Sequence, residues 1–583
     1  MGTAWKEHWR EHSLVTRRRR RRRRSGKKSI FLGIILIVAG VWWAVAEYLP
    51  NSSYTEPDWR GIKQPIFVEG HLMDYSAIGS GKDLKLPVPV LQEAVDSHIR
   101  YEEATKSVIL TTDSSVVQMK LDSKEGEKNG KAVSFPEAPE QLDGVVYVPI
   151  APLKQTYGIA VHQDATTGAV ILMNAGDEIT FAKARPDKSG QTVALRESPT
   201  IKAPILMDLP EGERIRLWGQ EQGWYFAQTD NGYTGYVKAK EIETSTKKKI
   251  PELSVPASRA EKEWSGKPVN LVWEAVYSKK PDPKTIGKLP GVNVVSPTWF
   301  DVVDGNGKVT SKADAEYVTW AHGQQMEVWG LLSNSFDPDV TTSFLARYDS
   351  RSRVIDQMLY YAEKYKLDGI NIDFENVYTK DKENLVQFMR ELKPLAHAKG
   401  LIISIDVTPK SNSEMWSAFL DRRELAQAVD YMIVMSYDEH WASSPKAGSV
   451  SSLPWAEGTI RRIIEEDDVP PSKLILGVPL YTRIWTEEGE NGGGEVSSTA
   501  VGMDKAQRLI KEKKLKPSFD EASGQNYVEY KEGKTLKKIW IEDETSLKAR
   551  VDLAKSLQLG GIASWNRSFA VPKAWEVLSE IHN

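Results

Sequence analysis

Eight short apolar runs recur along the carboxyl-terminal half of the chain and constrain its fold more than any other feature. They read VNLVWEAVY, GVNVVSPTWF, QMEVWGLLS, LDGINIDFE, LIISIDVTP, VDYMIVMSY, LILGVPLY and LGGIASW. Segments with helical periodicity separate them, and alternating strands and helices of this kind are typical of a parallel sheet covered on both faces. Eight such units predict an α/β fold, a TIM (β/α)8 barrel over residues 267–583, with an inserted α+β subdomain at about 485–540.

The fourth run continues as LDGINIDFENV and combines apolar and acidic residues. Ile370, Ile372 and Phe374 alternate with Asn371, Asp373 and Glu375. Since alternate side chains of a strand point to opposite faces, the three polar residues share one face. Two carboxylates on a buried strand are costly unless they are used. They end the strand where TIM barrels carry their active sites, which predicts a catalytic pair; a salt-bridged strand end is the alternative.

Three further segments precede the barrel. Residues 62–178 contain a repeat at an offset of 62, in which 84–112 matches 146–174, and each unit predicts a strand, a helix and two strands. Residues 190–243 are short β-like runs broken by Gly, Asn and Asp, which predict a small β-barrel. The Lys-, Pro- and Ser-rich segment 244–266 is a predicted linker.

The amino terminus combines a basic leader with an apolar run. Residues 1–28 contain twelve Lys/Arg and two acidic residues, and Ile30 to Ala46 has no charge. This pattern predicts a single transmembrane anchor over 29–49, with the amino terminus in the cytoplasm and the rest of the chain outside. The small residues Ala44 and Ala46 leave open a cleaved signal near Ala46 and a secreted protein.

Composition excludes several classes of site. The chain has no cysteine, which excludes disulfides, thiolate metal sites and cysteine nucleophiles. The leader carries a net charge of +10, so the remainder carries about −13 of the total of −3, which argues against nucleic acid as the main partner. His98 and His162 belong to no ligand cluster, and DGNGK at 304–308 lacks the later acidic ligands of a calcium loop. We therefore expect neither a metal nor a cofactor.

Three motifs together resemble glycoside hydrolase family 18. The run from Asp368 through Asn371 and Asp373 to Glu375 is similar to the family's D-x-x-D-x-D-x-E signature. MSYD, from Met435 to Asp438, is similar to its M-x-Y-D motif, and GGIASW supplies a Trp at the matching place, Trp565. The order of the motifs along the chain is that of the family. Within it, the downstream segments resemble the branch of spore-cortex and cell-wall N-acetylglucosaminidases.

The resemblance implies a role for each of these residues. Glu375 would be the general acid, Asp373 would orient the substrate's acetamido group and stabilise the cationic intermediate, and Tyr437 would bind the acetamido oxygen. The substrate's own carbonyl would replace an enzyme nucleophile, an exception to the two-carboxylate scheme. Substrate contacts are expected from Asp368, Asn371, Met435, Asp438 and Trp565.

Two departures from the family pattern bear on the substrate. Asn371 stands where many chitinases have a third Asp, and its amide cannot share a proton with Asp373 as a carboxyl would. The third run reads GLLSN in place of the Ser-x-Gly-Gly of many chitinases. Both departures favour a substrate other than chitin.

The upstream segments also resemble known domains. Residues 62–178 resemble the stalk-type domain related to the amino-terminal domain of copper amine oxidases, and 190–243 resemble the bacterial Src-homology-3-like domain, which often contacts the cell wall. The whole chain is thus predicted to be a membrane-anchored extracytoplasmic glycosidase acting on N-acetylglucosamine-containing glycan, most simply peptidoglycan. A chitinase and a catalytically silent wall-binding protein remain the alternatives.

Overall fold

The structure, a computed structural model, describes residues 26–188, 190–264, 266–489 and 493–583. It divides into two compact units. One contains the chain up to Arg60 together with Ile179–Lys248, and the other contains Gly61–Glu178 together with Lys249–Asn583.

The first helix, α1, spans Gly26–Tyr48. Across the residues that the structure describes, no helix combines the length and the apolar character needed to cross a membrane. The transmembrane anchor predicted for residues 29–49 is therefore not supported. Most of the basic leader, residues 1–25, lies outside the described residues.

Residues 61–178 form a small α+β domain. Its sheets have the strand orders β11-β12-β1-β2, β3-β10-β9 and β4-β5-β6-β7-β8. The elements are β1 (Pro65–Val68), β2 (His71–Ser76), β3 (Lys85–Pro87), α2 (Val88–Ala94), β4 (Arg100–Glu102), β5 (Ser107–Thr112), β6 (Ser115–Lys120), β7 (Glu125–Lys128), β8 (Lys131–Ser134), β9 (Glu140–Leu142), β10 (Val145–Pro149), α3 (Ile150–Tyr157), β11 (Ala160–Gln163) and β12 (Val170–Met173).

The predicted repeat is visible in this domain as two copies of a strand–helix–strand–strand unit. The first copy is β3-α2-β4-β5 and the second is β10-α3-β11-β12. Leu91 of α2 and Leu153 of α3 occupy matching places, and both are fully buried in one core. Gly158 ends α3 with a left-handed φ of 70°, a backbone conformation that favours glycine.

Residues 179–248 form an antiparallel sheet of seven strands in the order β15-β14-β18-β17-β16-β13-β19. A core that includes Leu195, Ala227 and Val237 fills it. The strands are β13 (Glu178–Ala184), β14 (Val193–Arg196), β15 (Ile205–Leu209), β16 (Arg214–Glu221), β17 (Trp224–Gln228), β18 (Thr234–Lys238) and β19 (Ile242–Lys249).

The remainder of the chain is a closed barrel of eight parallel strands, as predicted. The barrel strands are β20 (Val269–Glu274), β21 (Val294–Val302), β23 (Glu327–Ser333), β24 (Gly369–Asp373), β25 (Ile402–Val407), β26 (Tyr431–Met435), β27 (Leu474–Pro479) and β33 (Gly561–Trp565), and β22 (Val309–Ser311) pairs outside with β21. Pairing of β20 with both β21 and β33 closes the ring. The helices are α4 (Ala315–Gly323), α5 (Pro338–Leu345), α6 (Tyr348–Tyr365), α7 (Lys382–His397), α8 (Arg422–Gln427), α9 (Leu453–Asp467), α11 (Glu544–Ser556) and α12 (Pro572–Leu578).

A five-stranded antiparallel sheet with one helix lies between the seventh and eighth barrel strands. Its strand order is β29-β28-β32-β31-β30. The elements are β28 (Tyr481–Glu488), β29 (Val496–Gly502), α10 (Met503–Glu512), β30 (Ser518–Asp520), β31 (Gln525–Glu532) and β32 (Thr535–Ile541). Because β28 begins two residues after β27 ends, this subdomain rises directly from the carboxyl end of the barrel.

The α+β domain packs on α6 and α7 of the barrel through buried charge. Nη2 of Arg351, at the start of α6, lies 2.6 Å from Oε1 of Glu102 and 2.8 Å from Oε1 of Glu391. The second oxygen of Glu102 accepts the backbone N–H of Tyr348 at 2.7 Å. Glu102 therefore links the two domains both by charge and at a helix amino terminus.

Candidate active site

The alternation in the fourth strand sorts its side chains between two environments. Ile370, Ile372 and Phe374 point outward into the core between strands and helices, where the Phe374 ring stacks on Phe388 at 5.7 Å. Asn371, which is fully buried, belongs to the opposite face, and Asp373 follows it there. The interior face thus carries the polar residues toward the carboxyl end of the barrel.

Glu375 is fixed through its backbone by the residue that ends the third strand run. Asn334 accepts the N–H of Glu375 at 3.1 Å and donates to its carbonyl at 2.7 Å. Asn334 is itself fully buried and donates to Thr341 Oγ1 at 2.9 Å. The departure GLLSN therefore provides a clamp on the candidate acid, which sequence reasoning did not recognise.

The two carboxyl groups both hold protons more tightly than usual. Burial, followed by the charges of Asp373 and Asp438, raises the pKa of Glu375 well above its ordinary value. Burial raises the pKa of Asp373 to about 7. Within the described residues, Oδ1 of Asp373 is buried and has no hydrogen-bond partner. This pair therefore offers a proton donor, Glu375, and an acceptor for a ligand's N–H, Oδ1 of Asp373.

Aromatic side chains surround the carboxyl groups. Trp273 of β20 is buried, and its ring centroid lies 6.0 Å from that of Trp565 and 6.5 Å from that of Tyr437. The Tyr437 ring also lies 6.5 Å from Tyr481, which belongs to the inserted subdomain. The structure thus brings Tyr437 and Trp565 into one aromatic wall, and Trp273 and Tyr481 join them.

Asp438 lies at the edge of this wall and remains accessible. It accepts a hydrogen bond from Tyr481 Oη at 2.6 Å and contacts Arg483 Nη2 at 3.3 Å. Its φ of 58° is left-handed, a strained conformation that is common at functional sites. Met435, two residues before Tyr437, is buried at the end of β26.

Asp368 lies away from the other predicted site residues. It precedes β24, five residues before Asp373, which at the usual rise of a strand is about 16 Å along the barrel. Its carboxylate accepts the N–H of Val328 at 2.9 Å and contacts His322 Nε2 at 2.8 Å. Asp368 therefore joins neighbouring strands at the amino-terminal end of the barrel, and we assign it no substrate contact.

Exposed rings extend the site on the side of Glu375. Phe336 and Trp416 lie with their ring centroids 6.4 Å apart, and both are largely exposed. The chain beside Glu375 holds them, because Asn376 donates to the carbonyl of Phe336 and Val377 donates to that of Met415. Accessible aromatic faces next to a proton donor are suited to stacking on a sugar ring.

A large cavity of about 1170 Å³ lies at the other end of the barrel. Residues 255–264 and 266–268, the end of α7 and Lys473 line it, and the candidate site residues do not. The described residues contain no group of three or more His, Asp or Glu side chains suited to hold a metal. The carboxyl end of the barrel, where Asp373 and Glu375 meet, remains the candidate active site.

Comparison with known families gives three matches along the chain. Residues 333–570 match Glycosyl hydrolases family 18, residues 68–172 match the Copper amine oxidase N-terminal domain, and residues 191–243 match the Bacterial SH3 domain. The first match begins at the end of β23, so the strands that supply Trp273 and Ser296 lie outside it.

Individual relatives resemble just under half of the chain. An uncharacterized glycosylase of Bacillus subtilis is 26% identical over 301 residues, which are 49% of this chain and 84% of the relative. The cortical fragment-lytic enzyme of the same species is 26% identical over 264 residues, 44% of this chain and 60% of that enzyme. The crystal structure of the spore cortex-lytic enzyme of Bacillus megaterium is 21% identical, with a TM-score of 0.49, and covers 58% of this chain and 77% of that one.

Proposed function

We propose, from the premise that the chain carries a glycosyl hydrolases family 18 domain, that it is a retaining glycosidase that uses substrate-assisted catalysis. It would hydrolyse the β-glycosidic bond at the anomeric carbon of an N-acetylglucosamine residue in a glycan. The observation that carries the proposal is the pairing of Glu375, whose pKa is raised, with Asp373 at the carboxyl end of β24. A general acid must hold its proton near neutral pH, and burial beside other carboxyl groups achieves this.

Two side chains, Glu375 and Asp373, carry the proposed reaction. Glu375 gives its proton to the glycosidic oxygen as the bond to the anomeric carbon breaks. The acetamido oxygen of the same sugar closes on that carbon to form an oxazolinium ion. Asp373, whose buried Oδ1 has no partner among the described residues, accepts the acetamido N–H and opposes the positive charge. A water molecule then attacks the anomeric carbon and opens the oxazolinium ring, and a proton of this water returns to Glu375.

The aromatic wall explains how the sugar is held. Trp565, packed against the buried Trp273, would provide an apolar floor, and the Tyr437 hydroxyl would hydrogen-bond the acetamido oxygen. Burial raises the pKa of Tyr437 well above its ordinary value, so this hydroxyl stays protonated and can donate. Phe336 and Trp416 offer a stacking surface for the neighbouring sugar.

The relatives and the domain content of the chain favour peptidoglycan as the substrate. One relative is named a cortical fragment-lytic enzyme, and the bacterial SH3 domain is suited to binding cell wall. We therefore propose action outside the cytoplasm on the wall. The basic leader and apolar run still predict an anchored protein with its amino terminus inside, which cell fractionation and external protease would test; a soluble form beginning at Glu47 would identify a cleaved signal instead.

Digestion of purified peptidoglycan and chitin, followed by mass spectrometry, tests the function. Muropeptides with N-acetylglucosamine at the new reducing end are expected, and Glu375→Gln should lower turnover by about 10²–10⁴-fold while substrate still binds. Glu363→Gln, on an exposed carboxylate that pairs with Lys399, is the matched control. Fast cleavage of chitin alone would make the protein a chitinase.

The binding-protein alternative predicts a different result. In that case the wild type cleaves no N-acetylglucosamine polymer, and Glu375→Gln leaves wall binding unchanged. A buried carboxyl whose pKa is raised would then have no use, although its burial beside Asp373 costs stability.

A further inference from the structure

The barrel interior holds one more buried carboxyl, Asp406, which the mechanism above does not use. It lies on β25, whose register with β24 pairs Asn371 with Ser404 and Ile372 with Ile405. One residue further along both parallel strands, Asp373 and Asp406 stand side by side, and strand alternation turns both into the barrel. Asp406 is only 2% exposed.

The hydrogen bonds of Asn371 determine which oxygen of Asp406 is engaged. Oδ1 of Asn371 accepts from Trp273 Nε1 at 3.1 Å and from Ser296 Oγ at 3.0 Å. Its Nδ2 must therefore be the group that donates to Oδ1 of Asp406, at 2.9 Å. Asn371 therefore engages one oxygen of Asp406, and a proton on this carboxyl would lie on the other oxygen.

Two adjacent buried carboxyl groups cannot both be ionised at moderate cost. The titratable groups that face Asp406 are Asp373 and Glu375 from the fourth strand run and Tyr437 from the sixth. Burial, then the charge of Asp373, raises the pKa of Asp406 well above its ordinary value, while the hydrogen bond from Asn371 opposes this. Among the described residues that influence Asp406 there is no cation, so a proton is what balances the cluster.

We propose that Asp406 is a positioning residue that carries this proton and donates it in a hydrogen bond to Asp373, so that Asp373 alone is ionised when the cationic intermediate forms. The inference rests on the proposed glycosidase function. When that intermediate forms, the pair carries one proton and one negative charge, and neither carboxyl forms a covalent bond to the sugar. Asp406 thus takes, from the next strand, the place of the acidic residue that Asn371 does not supply.

Two substitutions of Asp406 separate a proton carrier from a charged group. Asn keeps an oxygen for Asn371 and places an N–H donor toward Asp373, so Asp406→Asn should retain kcat within about threefold. Asp406→Ala removes a hydrogen bond to a charged group, an effect equivalent to about 10–100-fold in kcat. Ser404→Ala, which removes an interior hydroxyl without a partner among the described residues, is the control and should leave kcat unchanged. Equal losses in the Asn and Ala variants, or no loss in either, would overturn the proposal.

Stability measured against pH gives a readout that needs no activity. An unfolded Asp loses its proton near pH 3.9, so a proton kept by the folded protein lowers the folding constant tenfold per pH unit above that value. Between pH 5 and 7 the folding constant of the wild type should therefore fall more steeply with pH than that of either Asp406 variant. The two slopes should differ by about a factor of ten per pH unit. Parallel curves would refute the proton on Asp406. An inactive wild type would refute the proposed function, and the curves would still decide the role of Asp406.

Discussion

The ion cluster between the α+β domain and the barrel makes a quantitative prediction about stability. Glu102 is almost fully buried between Arg351, at 2.6 Å, and Arg100, at 3.3 Å, and Glu391 completes the cluster with two bonds to Arg351. Glu102→Gln preserves shape and an acceptor for the Tyr348 N–H, but removes the charge. Two guanidinium groups then share one carboxylate.

The expected magnitude follows from what remains. Removing one partner of a buried pair costs about 3–5 kcal/mol. Because Glu391 still binds Arg351 with both oxygens, we expect the lower end, about 3 kcal/mol. At about 2–4 °C per kcal/mol for a domain of this size class, Tm should fall by roughly 6–12 °C.

Thermal unfolding followed by circular dichroism, with Glu103→Gln as the matched control, measures this effect. Glu103 adjoins Glu102 in sequence, but its side chain is 68% exposed and pairs on the surface with Lys106. Its substitution should leave Tm unchanged, since exposed pairs contribute little. A Tm for Glu102→Gln within 2 °C of the control would show that Glu391 alone satisfies Arg351, and that the two domains do not depend on this contact.

Three further predictions concern the active site. Asp438→Asn removes a negative charge that raises the pKa of Glu375, so Glu375 should lose its proton at lower pH and the alkaline limb of the pH profile of kcat/KM should move to lower pH; an unchanged limb would contradict the coupling. Asn334→Ala frees the Glu375 backbone and should lower kcat more than it changes KM, as steady-state kinetics on soluble muropeptides would show. Tyr437→Phe should cost less in kcat than Glu375→Gln, because it removes one neutral hydrogen bond; an equal loss would give Tyr437 a role in proton transfer.

The sequence predicted the barrel because its strands are local patterns. Each of the eight runs carries its own apolar signal, and in the fourth run the alternation predicted which residues face the helices and which face the interior. Asp373 and Glu375 were predicted because they end a barrel strand, where TIM barrels carry their active sites. Tyr437 and Trp565 were predicted from their resemblance to family 18 motifs. Asp368 was grouped with these residues only because it belongs to the same motif. It lies at the amino-terminal end of the barrel, because β24 separates it from Asp373.

The rest of the site depends on register and closure, which no single segment encodes. Asp406 lies near the end of the apolar run LIISIDVTP, as Asp373 does in its own run, so its position near a strand end could be read from the sequence. What was not available was the pairing that places it beside Asp373. Tyr481 was equally hidden, because it belongs to the inserted subdomain and contacts Asp438 only in the folded chain.

Closure of the barrel also explains how a neutral residue can stand at position 371. Hydrogen bonds run from Trp273 on β20 and Ser296 on β21 to Asn371 on β24, and from there to Asp406 on β25. An aspartate at 371 would accept the first two bonds but could donate to Asp406 only by keeping a proton of its own. It would also add a fourth carboxyl to a cluster that already holds Asp373, Glu375 and Asp406. The amide therefore orients Asp406 without adding charge, and the acidic partner of Asp373 can come from the neighbouring strand because the barrel brings the two strands into register.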